Sequence, residues 1–214
     1  MDEEIKIIDS NTRNEKIKNF FINNMKKIVV GSSIILILII GYLLIKEIKE
    51  REKVKLANQF NITIINFKTE DKQKTIDQLT KLINENDATY SPLALYFLID
   101  NNLINNKNEI NSLFDELINE TNVDKEIKNL IIYKKALFNS DFSSENDLLQ
   151  ILSPIINSES IWKSHSLYLI AEYFYSKNQK QKAKEFFNQI LLLPNLNNDI
   201  KIESQKRLNR DLSE

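Results

Sequence analysis

The chain has 214 residues, 42% of them apolar, and its 29 basic residues nearly balance its 30 acidic ones. This length fits one ordinary domain with short appendages, and the near-neutral charge gives no indication of nucleic acid or another polyanion as partner. Cysteine is absent, and there are only two Gly and three Pro. Disulfides and cysteine metal sites are therefore excluded, and a strand-rich fold or a phosphate-binding loop would lack its turn residues.

Residues 1–27 form a charged N-terminal tail. Placed on a helix, Ile17, Phe20 and Phe21 share one side, and Lys16 and Lys18 lie on another. This pattern is typical of a helix lying on a lipid surface. A disordered tail is the alternative, and the sequence leaves both open.

Residues 28–45 (IVVGSSIILILIIGYLLI) contain no charged side chain. A helix of that length rises roughly 27 Å at about 1.5 Å per residue, close to the thickness of a bilayer core. Lys26 and Lys27 precede the segment, Lys46 follows it, and Tyr42 lies near the second boundary, where an amphipathic ring is favoured. We predict a transmembrane helix rather than a buried core helix. No small-x-small cleavage site follows, which argues against a cleaved signal peptide.

Orientation is only weakly encoded. The tail carries six Lys and Arg residues, whereas residues 46–60 carry five. The positive-inside rule therefore leans slightly toward a cytoplasmic N-terminus, which would place the larger C-terminal part on the far side of the membrane.

The remainder is predicted to be all-α: a helical stalk over residues 46–58 and a repeat domain over residues 59–214. Two kinds of apolar segment alternate there, at intervals of 34 to 38 residues, which is the period of a helical-hairpin solenoid. Only residues 61–67 show doubtful, strand-like alternation. Amphipathic stripes begin at Ile76, Ile110, Leu148 and Ala183, the third interrupted by Pro154; broader apolar segments begin at Leu93, Leu130 and Leu167.

Asparagine replaces glycine in the predicted breaks between helices, because Asn tolerates the left-handed conformation that ends a helix. Asn86, Asn106 and Asn178 lie in such breaks, and others fall at residues 105 and 139–141. Ser91 followed by Pro92 is predicted to cap a helix, and Asp124 and Ser160 are further candidates.

Residues 167–194 resemble a tetratricopeptide motif. Ala171 and Ala183 occupy its small positions, Phe174 and Phe187 its aromatic positions, and Pro194 falls near its closing proline. Small residues let paired helices approach, and rings fill the space between hairpins. The chain departs from the motif at Leu167, Asn178 and Ile190, where Trp, Gly and Ala are usual.

Almost the whole chain also resembles a family of bacterial inner-membrane proteins related to the ancillary subunit of the Sec translocon. The resemblance is carried by residues 90–94 (YSPLA), residues 124–130 (DKEIKNL), and residues 161–164 (IWKS) followed by Glu172 and Tyr173. It implies a cytoplasmic tail, one anchor in the inner membrane and a periplasmic tetratricopeptide-like domain. The implied partner is the Sec translocon or a periplasmic chaperone.

Little in the sequence points to catalysis. His165 is the only histidine, so it has no second histidine with which to form a metal site, and it is interpreted as an ordinary helix residue. Carboxylate pairs such as Asp115 and Glu116 lie at positions predicted to face water. We therefore expect no enzyme, no cofactor and no small-molecule substrate.

Three aromatic residues are candidate partner contacts: Trp162, Tyr168 and Tyr175. For Trp162, packing beneath the preceding hairpin is the competing interpretation. The predicted function is a membrane-anchored protein-interaction module that assists Sec-dependent export or recruits a periplasmic chaperone. The alternative is a scaffold of the cell envelope or of cell division.

Overall fold

The computed structural model describes the chain except residues 1, 68–70, 195–196 and 213–214, and of residues 2–12 and 14 it describes the backbone alone. Regular structure within the described residues consists of α-helices, as predicted. They are α1 (Asp2–Asn66), α2 (Lys72–Asn84), α3 (Tyr90–Asp100), α4 (Lys107–Glu120), α5 (Lys125–Asn139), α6 (Glu145–Ile156), α7 (Lys163–Ser176), α8 (Lys180–Leu191) and α9 (Asn198–Arg210).

Contacts divide the chain into two compact units, Met1–Lys55 and Leu56–Glu214. The first unit is the N-terminal part of α1, and it includes the tail and residues 28–45. Within the described part of the chain, α1 is the one helix long and apolar enough to cross a membrane, and its apolar stretch is not buried by the protein. The doubtful stretch at residues 61–67 is helical up to Asn66.

In the second unit, each helix from α2 to α9 packs against the next one along the chain. Further contacts skip one helix, among them those between α2 and α4 and between α7 and α9. Sequence-adjacent helices that contact only near neighbours are the arrangement expected from short loops and one apolar stripe per helix.

Two apolar cores lie inside this unit. The first is built from α2, α3 and α4, with Ile131 of α5 and partly buried Leu56 and Phe60 of α1 packed against it. The second is built from α6, α7 and α8, with Ile132 and Ala136 of α5. Phe114 fills the first core, and Phe174 and Phe187 fill the second. Stripes and broad apolar segments are thus both buried, as their spacing indicates.

The Asn-rich breaks work in two ways. Asn86 and Asn178 adopt left-handed conformations with φ of 52° and 59°, which confirms the prediction at these helix ends, and Asn102 does the same at 49°. Asn106 instead begins a helix, because its side chain accepts hydrogen bonds from the backbone of Asn108 and Glu109.

Asp124 caps α5 as predicted, accepting from the backbone N–H groups of Glu126 and Ile127 at 3.0 Å each. The prediction for Ser91 is wrong. α3 already begins at Tyr90, and the carboxylate of Asp87 accepts from its backbone N–H at 2.7 Å. Ser91 is buried, and its hydroxyl donates to the carbonyl of Leu82 at 2.7 Å, which ties α3 to α2.

The prediction for Ser160 also needs correction. Ser160 accepts from the backbone N–H of Trp162, but α7 begins only at Lys163, so Ser160 closes the preceding turn. Pro154 lies inside α6 without ending it, since the helix continues to Ile156. Proline cannot donate to the carbonyl of Gln150, and the hydroxyl of Ser153 donates to that oxygen instead, at 3.0 Å.

Candidate functional site: side chains around α7

α7 is the most enclosed helix of the second unit. It packs against α6, α8 and α9, and eight of its residues are buried, among them Leu167, Ile170 and Phe174. A helix that is apolar on most sides lies between neighbours. Of the three candidate contact residues, Tyr168 and Tyr175 belong to α7, and Trp162 is its N-cap residue. All three are partly buried.

Trp162 belongs to an aromatic cluster with Tyr133 of α5 and His165 of α7, here called the Trp162 cluster. The indole stacks on Tyr133 with ring centroids 5.8 Å apart and an interplanar angle of 22°. His165 lies 5.3 Å from the indole and 6.1 Å from the Tyr133 ring. Since α5 precedes α7 by one hairpin, Trp162 packs on the preceding hairpin.

Glu126 holds the loop before α7 in place. One carboxylate oxygen of Glu126 accepts from the hydroxyl of Ser160 at 2.8 Å and from the backbone N–H of Ile161 at 3.2 Å. Ile161 itself points outward, with 70% of its surface exposed. The loop therefore presents an isoleucine to solvent directly beside the Trp162 cluster.

The electrostatics of the Trp162 cluster come from burial. Burial lowers the pKa of His165 below its ordinary value of 6.5, and the carbonyl of Ile161 opposes that shift. Burial also raises the pKa of Tyr133. Both rings are therefore neutral at pH 7, and the cluster offers flat, uncharged surface.

Tyr168 and Tyr175 contact the same residue of α9, Arg207. The guanidinium carbon lies 4.9 Å from the centroid of the Tyr175 ring. Burial raises the pKa of Tyr168, and the neighbouring Glu172 and Arg207 act on it in opposite directions, Glu172 raising it and Arg207 lowering it. Arg207 also binds Glu172 through two parallel bonds of 2.7 and 2.8 Å. These residues and Asp211 form the Arg207 cluster.

The Arg207 cluster fixes α9 to α7. Arg207 reaches Asp211 at 2.9 Å, and Arg210 binds the same carboxylate. These hydrogen bonds, with Arg210 and then with Arg207, lower the pKa of Asp211 to about 2. A bidentate arginine–carboxylate pair is among the stronger polar contacts of a protein surface. Tyr168 and Tyr175 thus belong to an intramolecular contact and are only partly accessible.

Arg207 and α9 escape prediction from the sequence. The helix is largely polar, with Ser204 as its one buried residue, and its apolar contact with the second core is limited to partly buried Ile200 and Leu208. A signal exists nevertheless: Arg207 follows Glu172 by 35 residues, close to the interval between the apolar segments.

That interval recurs in other polar contacts. Thr121 donates to Asn86 across 35 residues, Ser160 donates to Glu126 across 34, and Lys182 pairs with Glu145 across 37. Each contact joins a helix or its flanking loop to the helix or loop two positions earlier in the chain. The helices of the second unit are therefore linked by side chains at the same spacing as its apolar pattern.

Two carboxylates beside the apolar stripes have structural partners. Asp115 pairs with Lys135 at 2.6 Å, and Asp147 accepts from the hydroxyl of Ser144 at the start of α6. Among the described residues, no group of three or more His, Cys, Asp or Glu is arranged to hold a metal. An open groove of about 300 Å³ lies between the end of α1 and α2, lined in part by Ile62 and Gln78.

Comparisons of the chain with family models, with curated proteins and with solved structures gave no match.

Proposed function

We propose that the chain is a membrane-anchored protein-interaction module. Residues 28–45 cross the membrane, and the second unit is a tetratricopeptide-like solenoid that binds a protein partner. The apolar side chains of residues 28–45 are exposed along α1, and the described part of the chain does not cover them. A bilayer is the surrounding that makes such exposure favourable.

The observation that carries the proposal is the recurrence of polar contacts between residues 34 to 37 positions apart. Glu126 to Ser160 and Glu172 to Arg207 span 34 and 35 residues, and apolar segments repeat at the same distance. Stacked hairpins joined in this way form extended surfaces, which such proteins use to hold peptides or other proteins. Beside the Trp162 cluster, Ile161 and Ile127 offer exposed apolar area on the second unit.

The resemblance to inner-membrane proteins of the Sec ancillary type gives the proposal its orientation and its partner. The tail is cytoplasmic, the second unit is periplasmic, and the partner is the Sec translocon or a periplasmic chaperone. The anchor then raises the effective concentration of the second unit near exported chains.

Photocrosslinking in living cells tests this function. A photoreactive residue is placed at Ile127, Ile161 or Leu192, all exposed in the second unit, and at Leu152, which is fully buried, as a control. We expect crosslinks to translocon subunits or a chaperone from one or more exposed positions and none from Leu152. Crosslinks only to division or wall-synthesis proteins would contradict the export role and support a scaffold.

Topology needs its own measurement. A reporter active only in the cytoplasm, fused after the last residue, is expected to be inactive, and one active only in the periplasm is expected to be active. The reverse result would overturn the proposed orientation while leaving protein binding by the second unit open to the crosslinking test.

A further inference from the structure

The part of α1 that precedes the apolar segment has an uncovered apolar face. Ile17, Phe20, Phe21 and Met25 are between 50% and 65% exposed. The rings of Phe20 and Phe21 lie 6.0 Å apart in an edge-to-face arrangement. Exposing side chains of this size to water costs about 1.5–3 kcal/mol each relative to burial. Something other than water is therefore expected to cover this face.

The four side chains lie on one side of the helix. At 100° per residue they occupy an arc of about 140°, and Ile28 continues the same arc. Lys18 borders one edge of the arc, and Lys16 and Lys27 border the other. Lysines beside an apolar face can extend their ammonium groups toward headgroups while their stems stay in apolar surroundings.

The charge of residues 13–27 indicates what covers the apolar face. Residues 13–27 contain Arg13, Lys16, Lys18, Lys26 and Lys27 but only one acidic residue, Glu15. A parallel second copy would bring the bordering lysines of two helices together, which is unfavourable. An anionic surface complements them, and lysines at such a surface contribute about 1 kcal/mol each.

We propose that residues 15–27 form an interfacial helix whose apolar arc lies in the headgroup layer and whose lysines bind anionic phospholipid. This rests on the proposed function, because it requires residues 28–45 to cross the membrane. The occupant is the lipid surface around the chain's own anchor.

The proposal requires α1, which is continuous from Asp2 to Asn66, to bend near the start of the apolar segment when the chain is in a membrane. Phe20 lies eight residues before Ile28. If α1 stayed straight and perpendicular to the membrane, Phe20 would lie about 12 Å outside the position of Ile28 along the helix axis. That is beyond a headgroup layer of about 5–7 Å on each side. Near the junction, the hydroxyls of Ser32 and Ser33 both donate to the carbonyl of Val29, at 3.0 and 2.8 Å. Back-bonding serines next to Gly31 mark a point where helices bend.

The absence of cysteine makes a direct test possible, because a single introduced cysteine carries the only label. The full-length chain is spin-labelled at Ile17→Cys, Phe21→Cys or Met25→Cys, and at Asn19→Cys or Asn23→Cys on the polar side. The variants are reconstituted in vesicles of phosphatidylcholine with or without phosphatidylglycerol. Collisions with oxygen report lipid, and collisions with a water-soluble nickel complex report water.

With phosphatidylglycerol, we expect the three apolar positions to favour oxygen and the two asparagine positions to favour nickel. In pure phosphatidylcholine, positions 17 and 21 should shift toward nickel. Replacing Lys16, Lys18, Lys26 and Lys27 together by Gln should abolish the difference between the two lipids.

Two results would overturn the inference. If positions 17, 21 and 25 favour nickel in both lipids, the tail lies in water. If they are shielded from both reagents, or show spin–spin broadening, protein covers them. A label at Leu38→Cys separates the two proposals: its exposure to nickel would mean that residues 28–45 do not cross the membrane.

Discussion

Residues 28–45 and helix α7 are built from similar side chains in opposite surroundings. Ile37, in the first segment, is 67% exposed, whereas Ile170 of α7 is 1% exposed. Neighbouring helices cover α7 on several sides, but none of the residues that the structure describes buries residues 28–45. The difference teaches that apolar composition alone does not make a core. An uncovered apolar helix requires apolar surroundings from outside the chain, as a bilayer would provide.

The largest expected effect is a loss of folding stability when a buried side chain of the second core is truncated. Phe187→Ala removes a ring that is fully buried in the second core, and we expect it to lower the free energy of unfolding by about 3–5 kcal/mol. The matched control is Phe20→Ala, since Phe20 is exposed in α1. Chemical denaturation of the full chain in detergent, followed by circular dichroism, measures both. Equal effects would mean that the second core does not stabilise the fold.

A charged substitution within residues 28–45 tests whether this exposed segment inserts into a membrane. Leu38→Arg places a guanidinium in the middle of residues 28–45, and on insertion scales this costs about 2.5–3.5 kcal/mol. We expect a marked loss of the membrane fraction that resists alkaline extraction. Leu38→Phe, which keeps the position apolar, should leave that fraction unchanged. An unchanged fraction in the arginine variant would contradict membrane insertion of this segment.

A smaller effect is expected at the Arg207 cluster, where a polar contact adds to the partial burial of Ile200 and Leu208 in holding α9. Arg207→Leu leaves Glu172 without its bidentate partner, and hydrogen bonds to charged groups contribute about 1.5–3 kcal/mol before screening by solvent reduces them. We expect a loss near the lower end of this range in the free energy of unfolding. Arg210→Leu is the control, because that side chain is largely exposed. If both variants unfold alike, α9 is not held by Arg207.

The smallest effect concerns pH. Burial lowers the pKa of His165 below 6.5 in the folded chain, so the unfolded chain binds this proton more readily. The resulting stability is complete above pH 6.5 and is lost as the pH falls through the lowered pKa. His165→Gln should therefore flatten the decline in stability between pH 7 and the onset of carboxylate titration. Urea denaturation at a series of pH values checks this, and an unchanged slope would rule out the histidine as its source.

Much of the fold follows from periodic apolar positions. Ile110, Leu113, Phe114 and Leu117 have helical spacing, and all four are buried on α4. Asp124 is predictable as a cap because a short side chain with an acceptor satisfies free N–H groups wherever a helix begins. Such signals are local, so a single sequence contains them.

The missed features depend on contacts between distant residues. Ser91 is followed by a proline and so resembles a cap, yet Asp87 and the carbonyl of Leu82 determine its actual role. Arg207 lies on a polar helix and acquires its importance only because Glu172 faces it. Trp162 is a candidate contact because Trp is frequent at interfaces. Its stacking on Tyr133 could not be predicted, because the sequence does not show where α5 lies relative to α7.

The two cores of the second unit share one helix. Ile131 and Ile132 are consecutive residues of α5, yet Ile131 belongs to the core on one side and Ile132 to the core on the other. α5 therefore lies between the two cores and packs against both. When thermal motion opens one core, the other still holds this helix, so its amide protons are released to solvent only when both cores open together. The ends of the unit can thus open locally while its centre remains folded.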